Sequence, residues 1–187
     1  MAQGTNTNVV WKLLTPEVSG APGSTVQVKI QASLKNGHHL YTTKTYVEGE
    51  NGAPQSTEVT VGDKALFTLD GRLRGPKPVR HMDPSFEIET EYWEGTVVLT
   101  VPVEIAKGAK PGTEQGWVNL YFMTCNDATC IPPTDQKFTF KVTVDDKASV
   151  DAADSLKALQ QAKADSIESA REAREDSIAQ ANAALDQ

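Results

Sequence analysis

Cysteine is nearly absent from this chain. Its 187 residues hold two, Cys125 and Cys130, with four residues between them. That excludes a framework of several disulfides as the source of stability. A basic excess is missing too. Lys and Arg number 18 against 25 Asp and Glu, a formal net charge of −7, which excludes the positive footprint of a nucleic-acid binder. No apolar run approaches the roughly 20 residues that span a bilayer as a helix. The start, Met-Ala-Gln-Gly-Thr-Asn, lacks the apolar segment of a secretory signal and reads as an initiator ahead of a mature or excised domain. Proline and glycine are both absent from residues 147–187, which excludes turn-rich structure there.

What is present divides the chain in two. Residues 1–144 carry 13 Lys/Arg and 15 Asp/Glu, a net of −2, whereas 145–187 carry 5 and 10, a net of −5. The first part is strand-like. The run Ser24–Leu34 alternates with period two and is rich in β-branched residues, as do Thr96–Ile105, Trp117–Phe122 and Lys137–Val144. Shorter candidates lie at 9–14, 39–47, 56–61, 65–69 and 86–93. Turn signals separate them, among them Ala21-Pro-Gly, Lys35-Asn-Gly, Asp70-Gly, Glu94-Gly and Lys110-Pro-Gly. Many short strands at this spacing predict an all-β, antiparallel β-sandwich. The stretch Gly71 to Pro84, with prolines at 76, 78 and 84, is predicted to be a long irregular loop.

The second part has strong helix composition. Asp154-Ser-Leu156, Asp165-Ser-Ile167 and Asp176-Ser-Ile178 recur at a spacing of 11, close to the repeat of a straight helix. The reading is a C-terminal α-helical extension over 145–187, a solvated acidic spacer held by local charge pairs, appended to a domain at 8–144.

Function concentrates in Tyr121-Phe-Met-Thr-Cys125-Asn-Asp-Ala-Thr-Cys130-Ile-Pro-Pro133. An apolar run leads in and an alternating run leads out, so the cysteines are expected on a turn or on neighbouring strand ends. A bridge between them closes a very small ring, and a small ring constrains the unfolded chain less than a large one. Three chemistries fit the residues alone. The pair is a redox-active dithiol, a structural disulfide, or half of a metal site completed by His38, His39 or His81. The last suffers because adjacent strand residues such as His38 and His39 point to opposite faces. Trp11, Trp93 and Trp117 read as core or sheet-face aromatics.

The two-cysteine segment closely resembles that of the amino-terminal periplasmic domain of the DsbD thiol:disulfide interchange family. Two further segments match in order. Gly37-His38-His39-Leu40-Tyr41 is similar to the family's G-aromatic-x-L-Y strand, and Asp83-Pro84-Ser85-Phe86, followed by Tyr92 and the strand Val97–Val103, is similar to its cap-loop region. The resemblance covers roughly 8–144. It implies an immunoglobulin-like sandwich with an inserted active-site and cap region. It implies that Cys125 and Cys130 form a reversible disulfide, with Asp83 and Phe86 lying over the pair and Tyr41 beneath or beside it. It implies no cofactor and no metal. The implied partners are a thioredoxin-like domain of the same full-length protein, as electron donor, and periplasmic thiol-disulfide proteins, as acceptors. The implied location is the periplasm, tethered to the inner membrane only through a downstream domain. Two departures stand out. Better-known members have five residues between the cysteines rather than four, and His38 stands at an aromatic position. The alternative from a different class is a non-catalytic binding or adhesion sandwich with a structural disulfide.

Exchange proceeds by thiolate attack through a mixed disulfide. No helix is expected near the cysteines, so no helix N-terminus favours their thiolates. Asp127, inside the loop, disfavours a nearby thiolate, or else serves as a turn residue bonded to its own backbone. Pro132 and Pro133 are expected to stiffen the loop exit.

Overall fold

The computed structural model describes residues 7–62 and 65–145. Eleven strands follow one another in it: β1 (Val9–Leu13), β2 (Glu17–Gly20), β3 (Thr25–Leu34), β4 (His39–Tyr41), β5 (Glu58–Gly62), β6 (Phe67–Leu69), β7 (Val79–Asp83), β8 (Ile88–Glu94), β9 (Thr96–Ile105), β10 (Gly112–Cys125) and β11 (Cys130–Val144). There is no helix among the described residues. The helical extension expected over 145–187 lies outside them from residue 146 onward.

The strands form two sheets that share one apolar core, the arrangement of a β-sandwich. One sheet has the order β1-β3-β9-β6. The other runs β2-β11-β10-β4-β8-β7, with β5 also paired to β10. Period-two patterning builds the first sheet. Val28 and Ile30 of β3 lie opposite Val101 and Leu99 of β9, and all four are fully buried. Opposed residues of antiparallel strands share a face, so each pair adds to the same core surface. From the second sheet, Val118, Leu120 and Phe122 of β10 point into that core.

The long β10–β11 hairpin is the spine of the second sheet. One edge of β10 is covered by β11. Its other edge is shared: β5 covers Trp117–Tyr121 and β4 covers Thr124 and Cys125. This sharing corrects the expectation of a strand at 39–47. β4 ends at Tyr41, because an extension of it along β10 would collide with β5 at Tyr121.

Two more expectations change. The stretch 71–84 is not irregular throughout. Arg74 bridges to Thr100, and Val79–Asp83 forms β7, which pairs with β8 in a hairpin. Its alternation was invisible because β7 is an edge strand with only Asp83 buried. The sandwich is also not purely antiparallel. The short β2, which no pattern announced, runs parallel to the end of β11, Val18 opposite Val142.

Candidate functional site

Cys125 ends β10, and Cys130 begins β11 directly opposite it. The register that achieves this is not the register of the rest of the hairpin. Lower down, Phe122 faces Thr134, and an uninterrupted ladder from there would set Cys125 against Ile131. Instead Thr124 faces Ile131, so the single residue Met123 stands opposite both Pro132 and Pro133. The prolines are the extra residue of a β-bulge. They lack the N–H that a regular ladder would use, which suits them to that place. Their role is therefore to set register, beyond the stiffening expected from sequence.

The disulfide joins Cα atoms 4.0 Å apart, with an S–S distance of 2.00 Å. Four residues, Asn126 to Thr129, close the turn. Asn126 accepts N–H bonds from Ala128 at 2.9 Å and Thr129 at 2.7 Å on its side-chain oxygen, and its own N–H donates to the Thr129 carbonyl at 2.9 Å. The backbone-tying role expected of Asp127 thus belongs to Asn126, while Asp127 is exposed at the tip. The two sulfur-bearing residues are unequal. Cys125 keeps 1% of its surface, whereas Cys130 is half-buried.

On the other side of β10, His39 of β4 lies opposite Cys125, and Glu94 of β8 lies opposite His39. These residues share the outer face of the sheet, while Leu40, Thr124 and Trp93 on the inner face are buried. Tyr41, two residues beyond His39, is on the outer face too and is opposite Tyr92. The His39 ring stacks on Tyr92 with centroids 4.4 Å apart. Tyr41 is fully buried; its hydroxyl donates to Asp83 Oδ2 at 2.6 Å and lies 3.2 Å from His39 Nε2. The other Asp83 oxygen accepts the N–H of Ser85 at 2.9 Å and of Phe86 at 3.4 Å, which orders the β7–β8 turn. Phe86 lies in that turn rather than in β8, and its ring meets Tyr41 edge-on with centroids 6.4 Å apart.

The residues expected from sequence therefore form two groups. Cys125 and Cys130 are one; Tyr41, Asp83 and Phe86 are the other. His39 joins them, opposite Cys125 on one side and 3.2 Å from the Tyr41 hydroxyl on the other. His38, at the aromatic position, turns away. Its Nδ1 is 3.2 Å from the Asn36 carbonyl and its Nε2 3.3 Å from Asn126 Nδ2, so it braces the cysteine turn. Asn126 was missed as a site residue, and His39 was considered only as a metal ligand. The signals were there: His39 and Tyr41 are two apart on a strand and must share a face, and Asn at the head of a tight turn is the usual backbone acceptor.

Burial disfavours the charged forms of His39, Tyr41 and Tyr92. Burial pushes the His39 imidazole below its ordinary value of 6.5, outweighing the opposing pull of Asp83 and Asp127. Burial, then the hydrogen bond to Asp83, pushes the Tyr41 hydroxyl well above its usual 10.0. Tyr92 is raised by burial first and by Glu94 next. Among the described residues no three His, Cys, Asp or Glu side chains converge as a metal-binding group. With no helix among those residues, none lends its N-terminus to either sulfur. No described helix is long and apolar enough to cross a membrane.

Comparison with known proteins agrees with this geometry in one place. The family described as thiol:disulfide interchange protein DsbD, N-terminal, matches residues 11–142. No curated protein matches the chain. Several solved structures share part of its shape. A family 123 glycoside hydrolase from Clostridium perfringens has 9% identity and a TM-score of 0.41, over 74% of this chain and 27% of that one. The alpha-2-macroglobulin of E. coli has 13% identity and a TM-score of 0.41, over 73% of this chain and 7% of that one. The CssB subunit of colonization factor CS6 of enterotoxigenic Escherichia coli has 9% identity and a TM-score of 0.40, over 72% and 97%. The chain thus spans about a quarter or less of the first two.

Proposed function

The chain belongs to the family of N-terminal domains of the thiol:disulfide interchange protein DsbD, and we propose that it is a periplasmic electron-relay module of that kind, with an immunoglobulin-like fold. In this reading the Cys125–Cys130 disulfide takes electrons from a thioredoxin-like domain of the same full-length protein and passes them to oxidised thiol proteins. Residues 145–187 connect the exchange domain, at 8–144, to a membrane domain downstream.

The observation that carries the reading is the placement of the disulfide. It ties two residues already held opposite each other by a ladder that continues to Val144. A ring this small constrains the unfolded chain by about 2 kcal/mol, against roughly 4.7 for a ring of a hundred residues. As a staple it adds little to what the hairpin supplies. As a switch it needs almost no backbone movement to open and close. The half-buried Cys130 is the sulfur a partner thiolate can reach, and Cys125 is the leaving sulfur.

A redox titration against glutathione tests the reading. An exchange module has a midpoint between about −180 and −270 mV, whereas a value below about −300 mV marks a structural bond and supports a binding or adhesion sandwich instead.

The β7–β8 turn acts as the cap. Asp83 holds the turn to Tyr41, and Phe86 presents its ring beside it. Reduced thiols in an oxidising compartment require shielding, and a shield must yield when a partner docks. Phe86→Ala should therefore speed alkylation of the reduced protein by a small thiol reagent several-fold, with the melting temperature little changed. An unchanged rate in a less stable variant would assign Phe86 to packing alone.

A further inference from the structure

We propose that His39 accepts the proton of Cys125 as that thiol closes onto a mixed disulfide at Cys130. The inference deepens the exchange reading above and rests on it for its physiological meaning.

Placement comes first. His39 and Cys125 are directly opposed on neighbouring antiparallel strands. Such pairs share a face with Cβ atoms about 4.5–5.5 Å apart. The hydrogen-bond pattern then assigns the tautomer. Tyr41 has one hydroxyl proton, and at 2.6 Å it goes to Asp83 Oδ2. At the 3.2 Å contact between the hydroxyl and His39 Nε2, the imidazole is therefore the donor. A neutral ring with its proton on Nε2 carries its lone pair on Nδ1, the nitrogen on the Cβ side. Nδ1 is therefore the ring atom able to accept a proton, on a residue held directly opposite Cys125.

The ring is also held ready in the neutral form. It stacks on Tyr92 and its side chain is only 12% exposed. The groups facing it are Tyr41 on its own strand, Asp83 on β7, Tyr92 and Glu94 on β8, Cys125 on β10, Asp127 in the cysteine turn, and His38 before β4. Burial outweighs the three carboxylates among them. Cys125 has need of such a base. It is buried, and no helix N-terminus among the described residues stands by to favour its thiolate. An ordinary thiol near 8.5 is only a few per cent ionised at pH 7.

The step balances. The partner's sulfur is bonded to Cys130 Sγ. The Cys125 S–H bond breaks and its proton passes to His39 Nδ1. The sulfur electron pair forms the bond to Cys130 Sγ, and the old disulfide bond leaves with its pair on the partner thiolate. The partner is reduced and the cysteine pair is oxidised.

The test needs no protein partner. Reduced protein treated with dithiobis(nitrobenzoate) releases one coloured thiolate when Cys130 is modified and a second when Cys125 closes the ring. The second release is followed by stopped flow from pH 5 to pH 10. Two variants are compared with the wild type. His39→Phe keeps the stack on Tyr92, and His39→Gln keeps a donor toward Tyr41. Both should close at least about tenfold more slowly at pH 7 and rejoin the wild type above about pH 9, where solvent ionises the thiol. The wild-type rate should fall only as the pH drops through the imidazole range, below 6.5. If either folded variant stays within about twofold of wild type at pH 7, or is slowed by one factor at every pH as lost packing would do, the proposal is overturned. A wild type that closes its ring normally but exchanges with no protein disulfide would overturn the relay reading, and leave the role of His39 to be judged on its own profile.

Discussion

Cys130→Ser should abolish exchange, and Cys125→Ser should trap it. The two variants remove the same bond but fail differently, because the two cysteines are not equivalent in the fold. Cys130 is half-buried, while Cys125 is covered almost completely. In the proposed relay a partner disulfide meets Cys130 first. With serine there, the remaining thiol is almost completely covered, and turnover with a thioredoxin-like partner should fall by at least about a thousandfold, the scale on which removal of a nucleophile acts. With serine at 125, Cys130 still attacks, but no second sulfur resolves the adduct. A mixed disulfide with the partner should accumulate and be visible as a higher-mass band on a non-reducing gel. Stability should drop in both by no more than about 2 kcal/mol, the contribution of so small a ring. The assignment of roles is wrong if Cys130→Ser traps partner and Cys125→Ser does not.

Phe122→Ala should be the most damaging single change to the fold near the site. Phe122 is 1% exposed, and Trp11 meets it edge-on with ring centroids 5.0 Å apart. It is the last inward residue of β10 before the bulge that sets the cysteine register. Truncating a buried phenylalanine costs about 3–5 kcal/mol, from lost transfer energy and from the cavity left behind. That is a large share of the roughly 5–15 kcal/mol by which a domain is stable. Urea unfolding should show a lower midpoint with an unchanged slope. A loss below about 1 kcal/mol would mean that the core does not hold this end of β10, and that the disulfide or the β4 contact does.

Much of the site is legible in the sequence, for identifiable reasons. Strands such as β3 and β9 have one buried and one less buried face, so their alternation is written residue by residue. The cysteine pair is conspicuous because nothing else in the chain competes with it. Asp83, Tyr41 and Phe86 come from the family resemblance, and the fold brings those three together through one hydrogen bond and one ring contact. Less legible are elements whose pattern is set by a neighbour. β7 is an edge strand with four exposed residues, and its composition is that of a loop. β4 is cut short by β5, a competitor 17 residues further along the chain.

The sequence by itself determined the all-β class, the period-two cores of the long strands, the turn between the cysteines and their availability to each other. These are local properties, encoded within a few residues by side-chain volume, branching and turn chemistry. Only the tertiary structure decided which residues stand opposite which. The Pro132–Pro133 bulge shifts the ladder by one residue and sets Cys130 against Cys125. The pairing of β4 with β10 makes His39 their neighbour, and the β7–β8 hairpin carries Asp83 to Tyr41. Register between distant strands depends on the summed fit of all their pairs, and no short stretch of chain contains that information.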